Sequence, residues 1–400
     1  MWKMKQGVIL VCLSSLCLLT GCWNGRELHN ISVVVGMGID KNPKTDEYRL
    51  SFQVVIPNSA AVGTRGGVTT LPVVIHTASD ATLFGALRKT SKLVPRQLFF
   101  AHIQQVVIGE ELAKSGIGDL FDFFERSHEL RLTSHVLIAR GTTAEKVLRV
   151  LTPMEKNPAE GIAKRLELTS KIYAENLDTK VTDVLKALFG SGEAAISGVG
   201  ITGEPKQISG KENLTHMKLP NYIQIEGIAM FKNKKLLKWL DGKEARGVLW
   251  VQNQMKNTVT NLACENKQNG LSVELTRSKT KIKVRIVQDQ PIFQVKVDEE
   301  GSLGEVHCKV NPSKRAEILH IQQDWENETK QEIIATIKTA QRSGSDILGF
   351  DKVLNREYPA YWKKVKDVWP EKFEEIKVEV EVKAFIRRTG MRTKPYFFEQ

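Results

Sequence analysis

Residues 281–297 read KIKVRIVQDQPIFQVKV, and the alternation in that run decides which kind of sheet the second half of the chain builds. Successive side chains of a strand point to opposite faces. Ile282, Val284 and Ile286 therefore share one face while Lys281, Lys283 and Arg285 share the other, and Phe293, Val295 and Val297 repeat the apolar row. The pattern predicts a half-buried antiparallel sheet with a basic outer face. Residues 376–383, IKVEVEVK, carry the same period and predict a closing strand.

Between these strands the signals turn helical. Asn311 and Pro312 offer a cap followed by proline at the first helical position. A long helix is expected from there to about Gln341, with Ile318, Ile321, Trp325, Ile333 and Ile337 as its apolar stripe and Gly344 as its stop. A shorter aromatic-rich helix is expected over Tyr358–Trp369.

Upstream, strand and helix signals alternate. Strands are expected at Ile31–Ile39, Arg49–Ile56, Val73–His76, Phe99–Ile108 and Leu132–Ala139. Helices are expected at Leu83–Leu93 (capped by Ser79), Leu112–Phe124, Ala144–Leu151, Glu160–Ala174 and Val181–Phe189. Beyond a polar stretch ending in Pro220–Asn221 come strands at Tyr222–Phe231 and Leu236–Leu240, then a helix over Gly242–Met255. The expectation is an α/β (α+β mixed) chain of three domains with mixed and antiparallel sheets: 22–205, 206–300 and 301–400, after a leader at 1–21.

The leader has its own signature. Lys3 and Lys5 precede an apolar run, residues 7–20, of signal-peptide length and too short to span a bilayer. Leu19-Thr20-Gly21-Cys22 then resembles a lipobox, in which the thiol of Cys22 takes a diacylglyceryl group by thioether. Two or three acyl chains anchor stably. The expectation is a lipoprotein held on the outer face of a membrane through Cys22.

Composition supports a globular chain of 400 residues, 41% hydrophobic and 26% charged. Its net charge is +12, or +10 once Lys3 and Lys5 leave with the leader. Basic residues gather at Lys232–Lys238, Lys279–Arg285, Lys363–Lys366 and Arg387–Lys394. For an exported protein the fitting partner is an anionic lipid surface rather than nucleic acid, set against plain solvated faces. Cys264 and Cys308 remain after export; two separate buried thiols are the favoured reading, with a disulfide open to an exported chain.

Patterns for chemistry are missing. Gly198, Gly200 and Gly203 fit Gly-x-Gly-x-x-Gly, but Glu204-Pro205-Lys206 follows where a nucleotide site needs a helix. The histidines show no metal spacing, and no serine sits in Gly-x-Ser-x-Gly. No catalytic residue, cofactor or metal is expected. Trp362 and Trp369, seven apart, are read as core anchors, with contact to a partner subunit as the alternative.

Several runs resemble a known family. Cys22-Trp23-Asn24-Gly25-Arg26-Glu27-Leu28, Gly36-Met37-Gly38-Ile39-Asp40, Glu226–Phe231 with Lys235–Leu240, Asp346-Ile347-Leu348-Gly349-Phe350, Tyr358–Trp362 and Ile386–Met391 look like the landmarks of the Ger(x)C spore-germination lipoproteins. Asp351 departs from them, since glycine is usual there. The resemblance implies a non-enzymatic C subunit of a nutrient germinant receptor on the spore inner membrane, assembled with A and B subunits. It implies Cys22 as an N-palmitoyl, S-diacylglycerol cysteine. A lipid-anchored solute-binding protein is the runner-up, disfavoured by the change to basic-faced antiparallel strands; an anchored cell-wall enzyme comes third.

Overall fold

The computed structural model describes residues 28–56, 71–127, 129–155, 157–190, 193–203, 213, 217–265 and 267–390, with Trp2 and Gln6. The leader's apolar run, Cys22, residues 58–70 (whose Gly-, Thr- and Ala-rich sequence predicts a loop) and the basic residues beyond 390 lie outside them.

The first half comprises β1 (Ile31–Lys41), β2 (Tyr48–Val55), β3 (Val73–Asp80), α1 (Leu83–Thr90), β4 (Gln97–Phe99), β5 (Gln105–Gly109), α2 (Glu110–Ser115), α3 (Gly118–Arg126), β6 (His135–Ala139), α4 (Ala144–Arg149), α5 (Pro158–Ile172), α6 (Val181–Phe189) and β7 (Ala195–Gly203). Then follow β8 (Asn221–Lys232), β9 (Lys235–Leu240), α7 (Gly242–Val251), β10 (Thr258–Cys264), β11 (Lys267–Val287), β12 (Gln290–Val306), α8 (Arg315–Ser343), α9 (Phe350–Glu357), α10 (Pro359–Val365), α11 (Trp369–Glu375) and β13 (Lys377–Arg388).

The fold is mixed α/β, and both sheets are mixed. The larger runs β3-β2-β1-β5-β6-β7-β8-β9, with β4 beside β1. Its centre, β1-β5-β6-β7, is parallel and its flanks are antiparallel. Parallel strands need both faces covered. Met37 and Ile39 of β1 meet Leu120, Phe121 and Val184 from α3 and α6. Val107 and Leu137 on the opposite face meet Leu148, Ile162 and Leu166 from α4 and α5. Gly36 and Gly38 make that second contact close. A Cβ on Gly38 would lie 3.1 Å from Leu148 and 3.3 Å from the Ala144 backbone.

The smaller sheet is β10-β11-β12-β13. Lys281 stands opposite Lys296 and Val284 opposite Phe293, so the strands of 281–297 pair antiparallel as their alternation predicts. β13, however, lies parallel to β12, Val295 beside Val380. The long α8 makes this connection, returning the chain to the other end of the sheet as parallel neighbours require. Its Glu326 and Gln322 accept from the outward amides of Ala384 and Ile386, covering part of the sheet edge.

The sheets do not stop at the expected boundaries 205/206 and 300/301. β8 and β9 complete the first sheet, and β12 runs through residue 300. β8 explains the continuity: Ala229 and Phe231 face the first core, while Ile228 and Met230 join the core of the second sheet with Trp250, Trp325 and Phe293.

Other differences have local causes. Thr82, not Ser79, caps α1 by accepting from Gly85 at 3.0 Å, because Ser79 is still paired in β3. The expected 112–124 helix breaks at Gly116, whose φ of 132° lies outside helical space and frees Ile117 to donate to Lys234. The strand expected over 99–108 divides into β4 and β5. Asn311 accepts from Ser313 in a turn, so α8 starts at Arg315. The helix expected over 358–369 divides: α10 ends at Val365, a 3-10 turn spans Lys366–Val368, and Pro370, with no N–H to give, sits in the first turn of α11. Cys264 and Cys308 are joined, with Cα atoms 6.2 Å apart, instead of forming two separate thiols. The strand order brings the end of β10 and the exit of β12 to one end of β11, a proximity invisible along the sequence.

Candidate functional site

The joint between the two sheets is built on a buried carboxylate cluster. Asp346 follows the left-handed Gly344 that ends α8. Its Oδ1 accepts from the backbone of Gly349 and Phe350 at 2.9 and 3.1 Å, and its Oδ2 from Asp351 at 2.7 Å. These are orphan donors at the start of α9. Trp369 Nε1 adds a fourth bond at 3.0 Å. The backbone N–H of Asp346 donates in turn to Glu193 of the first sheet's side. Ser345 Oγ donates to Phe231 O and Lys232 Nζ to Ser343 O, so the β8–β9 hairpin is held to the end of α8.

Burial dominates the electrostatics here. It pushes Glu193 up to about 8, with the Asp351 charge adding and the Asp346 N–H and Lys232 opposing. It also holds Asp346 well above the carboxylate range, helped by Asp351 and opposed by the donors around it. Beside the joint lies a cleft of about 400 Å³ lined by Glu193, Asp178, Gln252, Leu348, Lys352 and Arg356. Asp178 pairs with His135 Nδ1 at 2.5 Å and is held low by that bond. Among the described residues no hydroxyl or thiol hydrogen-bonds to His135. A groove of about 730 Å³ between α1 and α3 has Tyr48, Phe84, Leu87 and Phe123 on its walls.

Trp369 is buried in the core, 6.3 Å from Phe293 and 5.5 Å from Trp362. Trp362 is half-buried. Of the pair only Trp362 presents surface to a partner. Gly198 and Gly200 lie within β7 against Glu226 and Trp239, where a Cβ on Gly200 would strike Glu226 Oε1 at 2.0 Å. They make room for side chains of the same sheet rather than a phosphate. The lysine row falls on the outer face of β11, with Lys281 and Lys283 exposed.

Sequence reasoning picked out residues 346–350 as a landmark without seeing the cap. An aspartate three residues before a glycine that opens a helix was the available signal. Glu193 carried no local signal; its role depends on a contact 153 residues away.

Residues 226–390 match the family described as spore germination B3/GerAC like, C-terminal, and residues 24–201 match the spore germination protein N-terminal domain. The chain is 32% identical to spore germination protein KC of Bacillus subtilis (strain 168), over 96% of this chain and 95% of that protein. It is 24% identical to the putative spore germination protein YfkR of the same strain, over 96% of each. The crystal structure of the GerBC protein superposes with a TM-score of 0.56 at 20% identity, covering 88% of this chain and 97% of that one.

Proposed function

Because the chain belongs to the spore germination B3/GerAC-like protein family, we propose that it is the lipid-anchored C subunit of a nutrient germinant receptor, working by assembly and not by catalysis. The observation that carries this reading is that the family likeness spans both sheets and the joint between them. The landmarks are structural: Asp346 caps α9, Gly36 and Gly38 admit α4, and Gly227, at φ 67°, leaves room for Arg140 and Asp241. Such a set builds a rigid body for partners and aligns no nucleophile with a base.

In this reading Cys22 carries the diacylglycerol and an N-palmitoyl group on the outer face of the spore inner membrane. No described helix is long and apolar enough to cross a membrane. The partners are the receptor's A and B subunits, with Trp362 as a candidate contact, and the anionic membrane surface.

The test is affinity purification of the tagged full-length chain from detergent-extracted spore membranes. The receptor's A and B subunits should co-purify, and Cys22→Ala should leave unprocessed or soluble protein and blunt the nutrient response. A chain that purifies alone from membranes, in spores whose nutrient response survives its deletion, would overturn the proposal.

A further inference from the structure

The outer face of the second sheet concentrates positive charge beyond what its own acids neutralise. Lys281 of β11 stands directly opposite Lys296 of β12, and Lys296 opposite Glu381 of β13. Glu381 is shared, 3.0 Å from Lys296 and 3.6 Å from Lys383. Among the described residues Lys281 and Lys283 make no ion pair. The lysines at 281, 283, 296 and 383 line a shallow depression of about 190 Å³ together with Asp298 and Glu381.

Like charges directly opposite each other on neighbouring strands destabilise a sheet. A merely solvated face gains nothing from that arrangement, whereas an external anion seated among the lysines relieves it. Farther along β13 the ring of Phe385 is 45% exposed, with the Arg387 guanidinium 5.5 Å from its centre. Lysines around a shallow depression and an exposed apolar ring on the same strand face suit a phospholipid interface, which offers anionic headgroups to the lysines and an acyl boundary to the ring.

We propose that the outer face of β11–β13, centred on Lys281, Lys283, Lys296 and Lys383, docks on anionic phospholipid headgroups and lays the second sheet against the membrane. The proposal rests on the membrane-anchored reading above and orients the anchored body. A single tether leaves the body free to rotate, whereas this second contact fixes which face the bilayer sees.

The mature-length chain carrying Cys22→Ser, so that no lipid is attached, is sedimented with vesicles containing phosphatidylglycerol or made of phosphatidylcholine alone. Binding is expected only to the former, weakening as salt is raised. Lys281→Gln with Lys283→Gln should reduce partitioning about fivefold for each lysine removed without lowering the melting temperature, since both side chains are exposed and unpaired and Lys281 only repels Lys296. Lys363→Gln with Lys364→Gln, on α10, should bind as the parent does. Equal binding by the 281/283 variant, or equal loss in the 363/364 variant, overturns the assignment. So does a 281/283 variant that keeps vesicle binding but loses the A and B subunits, which would give the face to a protein. The assay needs no receptor, so its failure leaves co-purification to judge the subunit reading separately.

Discussion

The indole Nε1–H of Trp369 donates to Oδ2 of Asp346 at 3.0 Å, and both side chains are buried. This one bond ties α11 to the N-terminus of α9. The same carboxylate closes the first turn of α9, and its own backbone N–H reaches Glu193 beside the first sheet. Asp346 therefore ties the start of α9 to α11 and to Glu193, 153 residues away in sequence.

Asp346→Ala leaves four donors without their acceptor. An unsatisfied buried donor costs about 1–3 kcal/mol, so a loss of at least about 3 kcal/mol is expected by denaturant unfolding. Asp346→Asn keeps one acceptor oxygen and should cost less. Equal stability of the alanine variant and the parent would show that the cap carries no weight.

Glu193 gives the joint a pH dependence. Its carboxyl rises on folding from 4.5 to about 8, mainly through burial, so the native chain holds the proton more tightly than the unfolded chain. That contribution is fully present below about 4.5 and is lost as pH rises toward about 8. Glu193→Gln keeps an acceptor for the Asp346 N–H and abolishes the titration. Between pH 5 and pH 8 the parent should lose more stability than the variant, by up to roughly 4 kcal/mol. Parallel stability curves would remove Glu193 from the account.

The Glu193 contact marks the limit of what the sequence conveys. Period-two runs at 281–297 and 376–383 identified the second sheet's strands and its basic face, because burial on one side imprints directly on neighbouring residues. The parallel direction of β13 left no such imprint, since alternation is the same for either direction. Where one sheet gives way to the next is not legible along the chain because β8 serves two cores, with Ala229 and Phe231 in one and Ile228 and Met230 in the other. A strand that is apolar on both sides looks central, yet says nothing of which domain claims it. The lysine face was legible; the depression among its side chains required the register between strands.

The Cys264–Cys308 bond closes a separation of 44 residues. Chain-entropy reasoning gives such a loop about 4 kcal/mol of stabilisation. Cys264→Ser with Cys308→Ser should lower the unfolding free energy by an amount of that order, and reductant should lower the parent's melting temperature but not the variant's. A parent insensitive to reductant under unfolding conditions, with no free thiol appearing on reduction, would contradict the bond.

Trp369 and Trp362 touch, yet their surroundings assign them different duties. Trp369 is 1% exposed, packed edge-on to Phe293 and tilted against Phe373, and hydrogen-bonded to Asp346. Trp369→Ala should cost about 3–5 kcal/mol, as large aromatic truncations in cores do, and the proposed receptor assembly should fail with the fold. Trp362 keeps an open side on the short α10, which is anchored by Tyr361 Oη donating to Asp289 O at 2.7 Å. Trp362→Ala therefore removes less buried area and should lower the melting temperature only slightly. If Trp362 meets a partner subunit, this variant should lose co-purification with the membrane subunits while remaining folded. Val382→Asp provides the reference for collapse of the same segment, because that side chain is closed off where Val380 is only half-buried. A Trp362→Ala chain that behaves like Val382→Asp in melting would make the residue part of the core. One that melts and assembles like the parent would leave it with neither duty.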